Sequence, residues 1–287
     1  VNKLFLMLGA VVLAVGLLAG CSRKGSNGEE SKYITIKGSD TMVHLVSNWA
    51  EAYMNKHPDV DISVTGGGSG TGIAALLNGT TDICMASRKI KDKEIKTAEA
   101  KGEHLKETIM ARDGIAVVVN PGNPIDALSI EQIGKMYIGA YTSWKQVGGP
   151  DEPIGILSRE SSSGTYVFFQ KRVMNKKDYT RNAMLLPSNS AIVQTVSQDK
   201  WSIGYVGLGY AMEAVGKVKI LAVKENAESQ AITPSVESVK SGHYAIARPL
   251  RFYTDGDPSG VAKDFIDFCL SDEGQKIVLE TGYVPVK

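Results

Sequence analysis

Arg159-Glu160-Ser161-Ser162-Ser163-Gly164-Thr165 follows an apolar run, Ile154 to Leu157, and opens an apolar-periodic one. The pattern predicts a strand, a tight loop and a helix. A helix start presents backbone N–H groups without intrahelical partners at the positive end of the macrodipole. Here three serines, a threonine and an arginine stand around it. Taken alone, the corner fits two readings: a plain Ser-Gly-Thr N-cap, or a socket for an anion.

Two further corners weigh toward the anion. Gly66-Gly67-Gly68-Ser69-Gly70-Thr71-Gly72 follows a strand-like Val60 to Thr65 and precedes Ile73 to Leu77, and Gly38-Ser39-Asp40-Thr41 follows Tyr33 to Lys37 and precedes another helical run. Three hydroxyl-bearing helix starts, each after a strand, can converge on one ligand.

The chain has 287 residues, 43% hydrophobic and 22% charged, enough for one large or two medium domains with their own cores. Lys plus Arg number 32 against 31 Asp plus Glu, a formal net charge of +1. That balance argues against nucleic acid or a broadly acidic partner, so any anion preference is local.

Residues 1–20 carry Lys3, an apolar run from Leu4 to Leu18, and the ending Leu18-Ala19-Gly20 before Cys21. This resembles a bacterial lipoprotein signal peptide, short for a membrane span and small-residued at its cleavage end. The expectation is a lipidated Cys21, a flexible tether over 21–32, and a body held at the membrane surface by acyl chains. Of the remaining cysteines, Cys84 and Cys269 lie in apolar contexts and are expected as unpaired core thiols. No CxxC or paired-histidine spacing points to a metal: His44, His57, His104 and His243 are scattered, and Asp255-Gly256-Asp257 reads as a turn.

From Tyr33 onward, short β-branched runs alternate with helix-period runs, predicting an α/β fold with mostly parallel strands. The expected helix from Thr41 places Val43, Val46, Trp49, Ala50, Tyr53 and Met54 on one face. Thr108 to Ala111 and Ile115 to Val119 read as strands around Arg112-Asp113-Gly114. After Asn120-Pro121-Gly122-Asn123-Pro124 a second unit begins, with a strand over Val218 to Val223 and a helix capped by Thr233-Pro234. The return crossover falls near Arg248-Pro249, and the helices over Ser259 to Leu270 and Asp272 to Thr281 pack back onto the first unit. The resulting organisation is one lobe of 33–118 plus 249–287, a second of 119–248, and a ligand cleft between them that hinge motion can close.

Together, the lipobox, Gly38 to Thr41, Gly66 to Gly72, Asp82 to Arg88, Arg159 to Thr165 and Ile203-Gly204-Tyr205-Val206-Gly207 resemble the phosphate-binding proteins of ABC phosphate transporters. The resemblance covers nearly all of residues 33–287. It implies a periplasmic-binding-protein type II fold with a two-strand hinge. The implied function is a non-enzymatic, extracytoplasmic, lipid-anchored and monomeric receptor, without cofactor, that delivers inorganic phosphate to a permease. It assigns the anion contacts to Arg159, Ser163, Gly164 and Thr165, with Ser69 from the other lobe. A guanidinium fork, hydroxyls and backbone N–H groups suit a tetrahedral oxyanion.

The chain departs from the family pattern at two places, carrying Asp40 where threonine is usual and Ser87-Arg88 where an aspartate is frequent. Asp40 fits either a proton acceptor that selects a protonated anion, its charge offset by Arg88, or a plain helix cap. Arg88 fits either that role or a solvated surface charge. Ser39, Thr41 and Ser87 are lesser candidates. A receptor or sensor for another tetrahedral oxyanion is the alternative function. The rival class, a secreted hydrolase, lacks a Gly-x-Ser-x-Gly elbow or a histidine beside the serine clusters.

Overall fold

Two long antiparallel strands, Leu105–Val119 and Ala247–Asp255, carry the chain between two hydrophobic cores. The computed structural model describes residues 32–287. The signal, Cys21 and nearly all of the tether expected from the sequence lie outside the described residues.

The chain begins with β1 (Lys32–Gly38), a 3₁₀ turn (Asp40–Met42), α1 (Val43–Lys56), β2 (Val60–Thr65), α2 (Ser69–Leu77), β3 (Ile83–Ala86) and α3 (Asp92–Ala100). Then come β4 (Leu105–Val119), β5 (Ala127–Ser129), α4 (Ile130–Tyr137), β6 (Gly155–Arg159), α5 (Gly164–Arg172) and β7 (Met184–Leu186). Next follow α6 (Asn189–Gln198), β8 (Ser202–Gly207), α7 (Leu208–Glu213), β9 (Lys219–Ile220), β10 (Ala222–Lys224) and α8 (Val236–Lys240). The chain closes with β11 (Ala247–Asp255), α9 (Gly260–Leu270) and α10 (Asp272–Glu280).

One curled sheet runs β2-β1-β3-β11-β4-β8-β6-β7, with β9 beside β4. Its flanks are parallel, as the alternating pattern predicts. Its centre is not, because β11 lies antiparallel to both β3 and β4, and β4 antiparallel to β8. The α/β class holds; "mostly parallel" holds only toward the edges.

The first core is built from the helical face Leu45, Val46, Trp49, Ala50 and Tyr53 of α1, packed on β1, β3 and β11. The expected return of the last two helices is observed: Trp49 donates its indole N–H to the Gly274 carbonyl at 2.7 Å, and Tyr53 meets Phe265 edge-on at 5.5 Å. The second core surrounds the stacked pair Phe169 and Tyr205, 4.0 Å apart, with Tyr137 and Trp144. Cys84 and Cys269 are buried and unpaired.

Three local readings are corrected. Arg112-Asp113-Gly114 does not separate two strands but is the middle of β4, whose pairing with β11 continues through all three residues. Val218 to Val223 splits at buried Leu221 into β9, which pairs β4, and β10, which pairs β5. The helix after Thr233-Pro234 is capped by Ser235, whose Oγ accepts the Ser238 N–H. Among the described residues no helix is long and apolar enough to cross a membrane.

Candidate anion site

The three corners read from the sequence meet. At the third, Gly164 lies so close to the second that a Cβ on it would stand 2.3 Å from Ser69 Oγ and 2.7 Å from Ser87 Oγ. Gly70 donates its N–H to the Ser162 carbonyl at 2.9 Å, and Ser162 Oγ donates to the Gly67 carbonyl at 3.2 Å. The first corner joins through Thr41, whose Oγ1 is 2.7 Å from Thr165 Oγ1. Ser39 Oγ donates to Ser87 Oγ at 2.7 Å, and Ser69 Oγ accepts the Ser87 N–H at 3.0 Å. Ser39, Thr41, Ser69, Ser87, Ser163 and Thr165 are all buried. Ser163 spends its hydroxyl as the cap of α5, accepting the N–H groups of Thr165 and Tyr166 at 3.2 and 3.4 Å.

Arg159 ends β6, at the head of the third corner, and is buried at 1% exposure. Its Nη2 donates to the Pro187 carbonyl at 2.7 Å and lies 3.3 Å from Asp40 Oδ2. Its Nε and Nη1 have no hydrogen-bond partner among the described residues. Burial pushes the guanidinium below its ordinary pKa and the Asp40 carboxylate opposes that shift, yet an arginine retains its charge at neutral pH. A buried donor without an acceptor costs about 1–3 kcal/mol, and more when charged. Two such donors are free to take up the oxygens of a compact anion.

At the two departures the structure removes the cap reading of Asp40 and both readings of Arg88. Asp40 is not a cap: Ser39 occupies the N-cap of the 3₁₀ turn. The Asp40 carboxylate instead crosses to α6, accepting both the backbone N–H of Asn189, at 2.9 Å, and its side-chain amide. It thereby sits as an internal anion at that helix start. Arg88 neither offsets Asp40 nor lies in solvent. It is 5% exposed and forked onto Glu94 at 2.7 and 2.8 Å, and its partner at Asp40 is replaced by Arg159.

Four residues missed in the sequence complete the surroundings. Asn189 holds Asp40, and Tyr210 donates its hydroxyl to the Asp40 carbonyl at 3.0 Å. Asp113 and Arg248 form a fully buried ion pair at 2.9 Å. The available signal for that pair was a charge of each sign inside an apolar β-run, read there as a break between strands and a crossover. A surface cleft of about 620 Å³ lined by His44, Glu213 and Tyr283 shares no residue with the cluster.

A profile of the PBP superfamily domain matches residues 25–273. The phosphate-binding protein PstS of Staphylococcus haemolyticus is 35% identical, over 97% of this chain and 90% of that protein. The chain belongs to this family. Its counterpart in Staphylococcus aureus strain USA300 is 33% identical over 98% of this chain and 88% of that one. The crystal structure of a phosphate ABC transporter substrate-binding protein from Clostridium perfringens, with bound phosphate, superposes with a TM-score of 0.80 at 32% identity, over 89% of this chain and 100% of that one. An ABC-type phosphate transport receptor from Vibrio cholerae gives 0.69 at 32% identity, over 88% and 99%. The PstS family is one of binding proteins, not enzymes, and the fold is the periplasmic-binding-protein type II fold that the sequence resemblance implied.

Proposed function

We propose that the chain is an extracytoplasmic receptor that binds inorganic phosphate between two lobes, 33–118 plus 249–287 and 119–248, and passes it to the permease of an ABC transporter. The observation that carries this reading is Arg159, almost fully buried, with two guanidinium nitrogens unpartnered among the described residues, on the same corner as Gly164 and Thr165, which meet the hydroxyls of Ser69, Ser87 and Thr41. The names of the relatives point the same way. In this reading Arg159 grips two oxygens. Ser39, Thr41, Ser69, Ser87 and Thr165 with the backbone at Ser163 and Gly164 supply neutral bonds, while Arg88 stays paired with Glu94. Calorimetry with phosphate, arsenate, sulfate and molybdate tests it. Phosphate is expected to bind tightest; a preference for sulfate or molybdate overturns the assignment.

Asp40 is the proposed selector. A carboxylate beside the bound anion accepts a proton from phosphate and repels sulfate, which has none to give at neutral pH. Asp40→Asn is expected to weaken phosphate binding and to narrow the phosphate-to-sulfate ratio, measured by competition at matched pH and salt. An unaltered ratio reduces Asp40 to its bond with Asn189.

Anchoring is also proposed, from Leu18-Ala19-Gly20-Cys21 and the polar tether behind it. Cys21→Ser is expected to move the protein from the membrane to the soluble fraction. Retention in the membrane, with no acyl group in the mass spectrum of the natural chain, sinks the idea.

A further inference from the structure

Two arginines are buried around the three corners, one beside Asp40 and the other against the Thr165 and Thr41 hydroxyls, and they differ in how fully they are engaged. Arg159 leaves Nε and Nη1 unpartnered among the described residues, whereas every guanidinium nitrogen of Arg248 is engaged by the protein. Arg248 Nε and Nη2 donate to Asp113 Oδ2 at 3.2 and 2.9 Å, and Nη1 donates to the Ser87 carbonyl at 2.9 Å. Nη2 also donates to Thr165 Oγ1 at 2.9 Å and lies 3.5 Å from Thr41 Oγ1. Asp113 turns its other oxygen to the Leu208 N–H at 3.0 Å, and the guanidinium lies over the Phe168 ring at 5.4 Å. We propose that Arg248, held by Asp113, is a positioning residue: it makes no bond to the anion but fixes which way the Thr165 and Thr41 hydroxyls point.

The reasoning rests on hydroxyl arithmetic. A threonine hydroxyl has one proton and two lone pairs. Thr165 Oγ1 receives an N–H from Arg248, so its own proton points away, either to Thr41 Oγ1 at 2.7 Å or to a guest. The two threonines carry two protons and their mutual bond consumes one. One hydroxyl proton therefore remains for an anion oxygen, in an orientation set before the anion arrives. Prepaid ordering of this kind reduces the cost of binding.

The placement of the pair adds a second element. Arg248 and Asp113 are direct cross-strand partners in β11 and β4, the two strands that connect the cores. One guanidinium thus ties both connecting strands to Ser87 on one side and Thr165 on the other. Deleting one member of such a pair strands a buried charge, whereas neutralising both does not.

This inference rests on the phosphate reading above. The test compares the full-length chain with Arg248→Gln/Asp113→Asn, which keeps both shapes and removes both charges. Each is measured with and without Thr165→Val, by phosphate calorimetry and thermal melting. The charge-free variant is expected to bind phosphate about tenfold more weakly, the worth of one charge-assisted bond. Thr165→Val is expected to cost about tenfold in the natural background and less than about threefold in the charge-free one, because a hydroxyl that is no longer aimed has little left to lose. A purely structural role moves the melting temperature and leaves the Thr165→Val loss the same in both backgrounds; that result, or unchanged affinity in the charge-free variant, overturns the inference while the phosphate reading stands. Absence of phosphate binding by the natural chain overturns both. Should the charge-free variant fail to fold, Arg248→Lys, whose single ammonium cannot serve Asp113, Ser87 and Thr165 together, enters the same cycle under the same criteria.

Discussion

Arg159→Ala is expected to weaken phosphate binding by about 2–5 kcal/mol, the usual cost of removing one partner of a buried, hydrogen-bonded charge pair. In affinity that is about 30- to 5,000-fold. The same substitution is expected to leave the ligand-free protein within about 1 kcal/mol of its original stability, roughly 2–4 °C in melting temperature. The reason is that Arg159 bonds the protein through one nitrogen, to the Pro187 carbonyl and near Asp40, while two nitrogens find no partner among the described residues. Asp40 retains both donors of Asn189 after the change. Calorimetry and ligand-dependent melting check the two halves separately. An undiminished phosphate affinity moves the site elsewhere. A collapse of the ligand-free protein makes Arg159 a structural residue.

Gly164→Ala is expected to weaken phosphate binding by adding a single methyl group where the corners meet. Alanine suits a first-turn helical position better than glycine does, so the helix itself gains. The loss comes from the facing corner, where the new Cβ would stand 2.3 Å from Ser69 Oγ and 2.7 Å from Ser87 Oγ. Overpacking of this order costs about 1–3 kcal/mol, and if the corners hold the anion as proposed that is about 5- to 150-fold in phosphate affinity. In the proposed two-lobed reading, separating the corners relieves the clash, so the free protein is expected to melt no lower than the natural chain. Unchanged affinity would mean that the close approach of Gly164 to Ser69 is not needed for binding.

The readable parts of this protein are those whose physics is contained in a few consecutive residues. A helix start after a strand, with glycines to let backbones approach and hydroxyls to bond, announces itself at Gly38 to Thr41, at Gly66 to Gly72 and at Arg159 to Thr165. The face of α1 is equally local, since the helical period alone gathers Val46, Trp49, Ala50 and Tyr53. The centre of the sheet was misread for the converse reason. A polar triple at Arg112 to Gly114 and a proline at 249 have the composition of turns, yet both lie inside long strands. Asp113 is tolerated in β4 because Arg248 stands opposite it, and Pro249 lies outside the part of β11 that also pairs β3.

Local pattern was enough for the α/β class, the three corners, the arginine among them and the return of the last two helices to the first core. Which charge answers which was settled by long-range folding. Asp40 had two local roles open to it and took neither the cap nor Arg88, because Asn189 and Arg159 reach it from segments more than a hundred residues away. Arg88 was claimed instead by Glu94, and Arg248 by Asp113. A side chain's donors and acceptors are fixed by its chemistry, whereas its partners are chosen by which segments the curled sheet brings within about 3 Å of it.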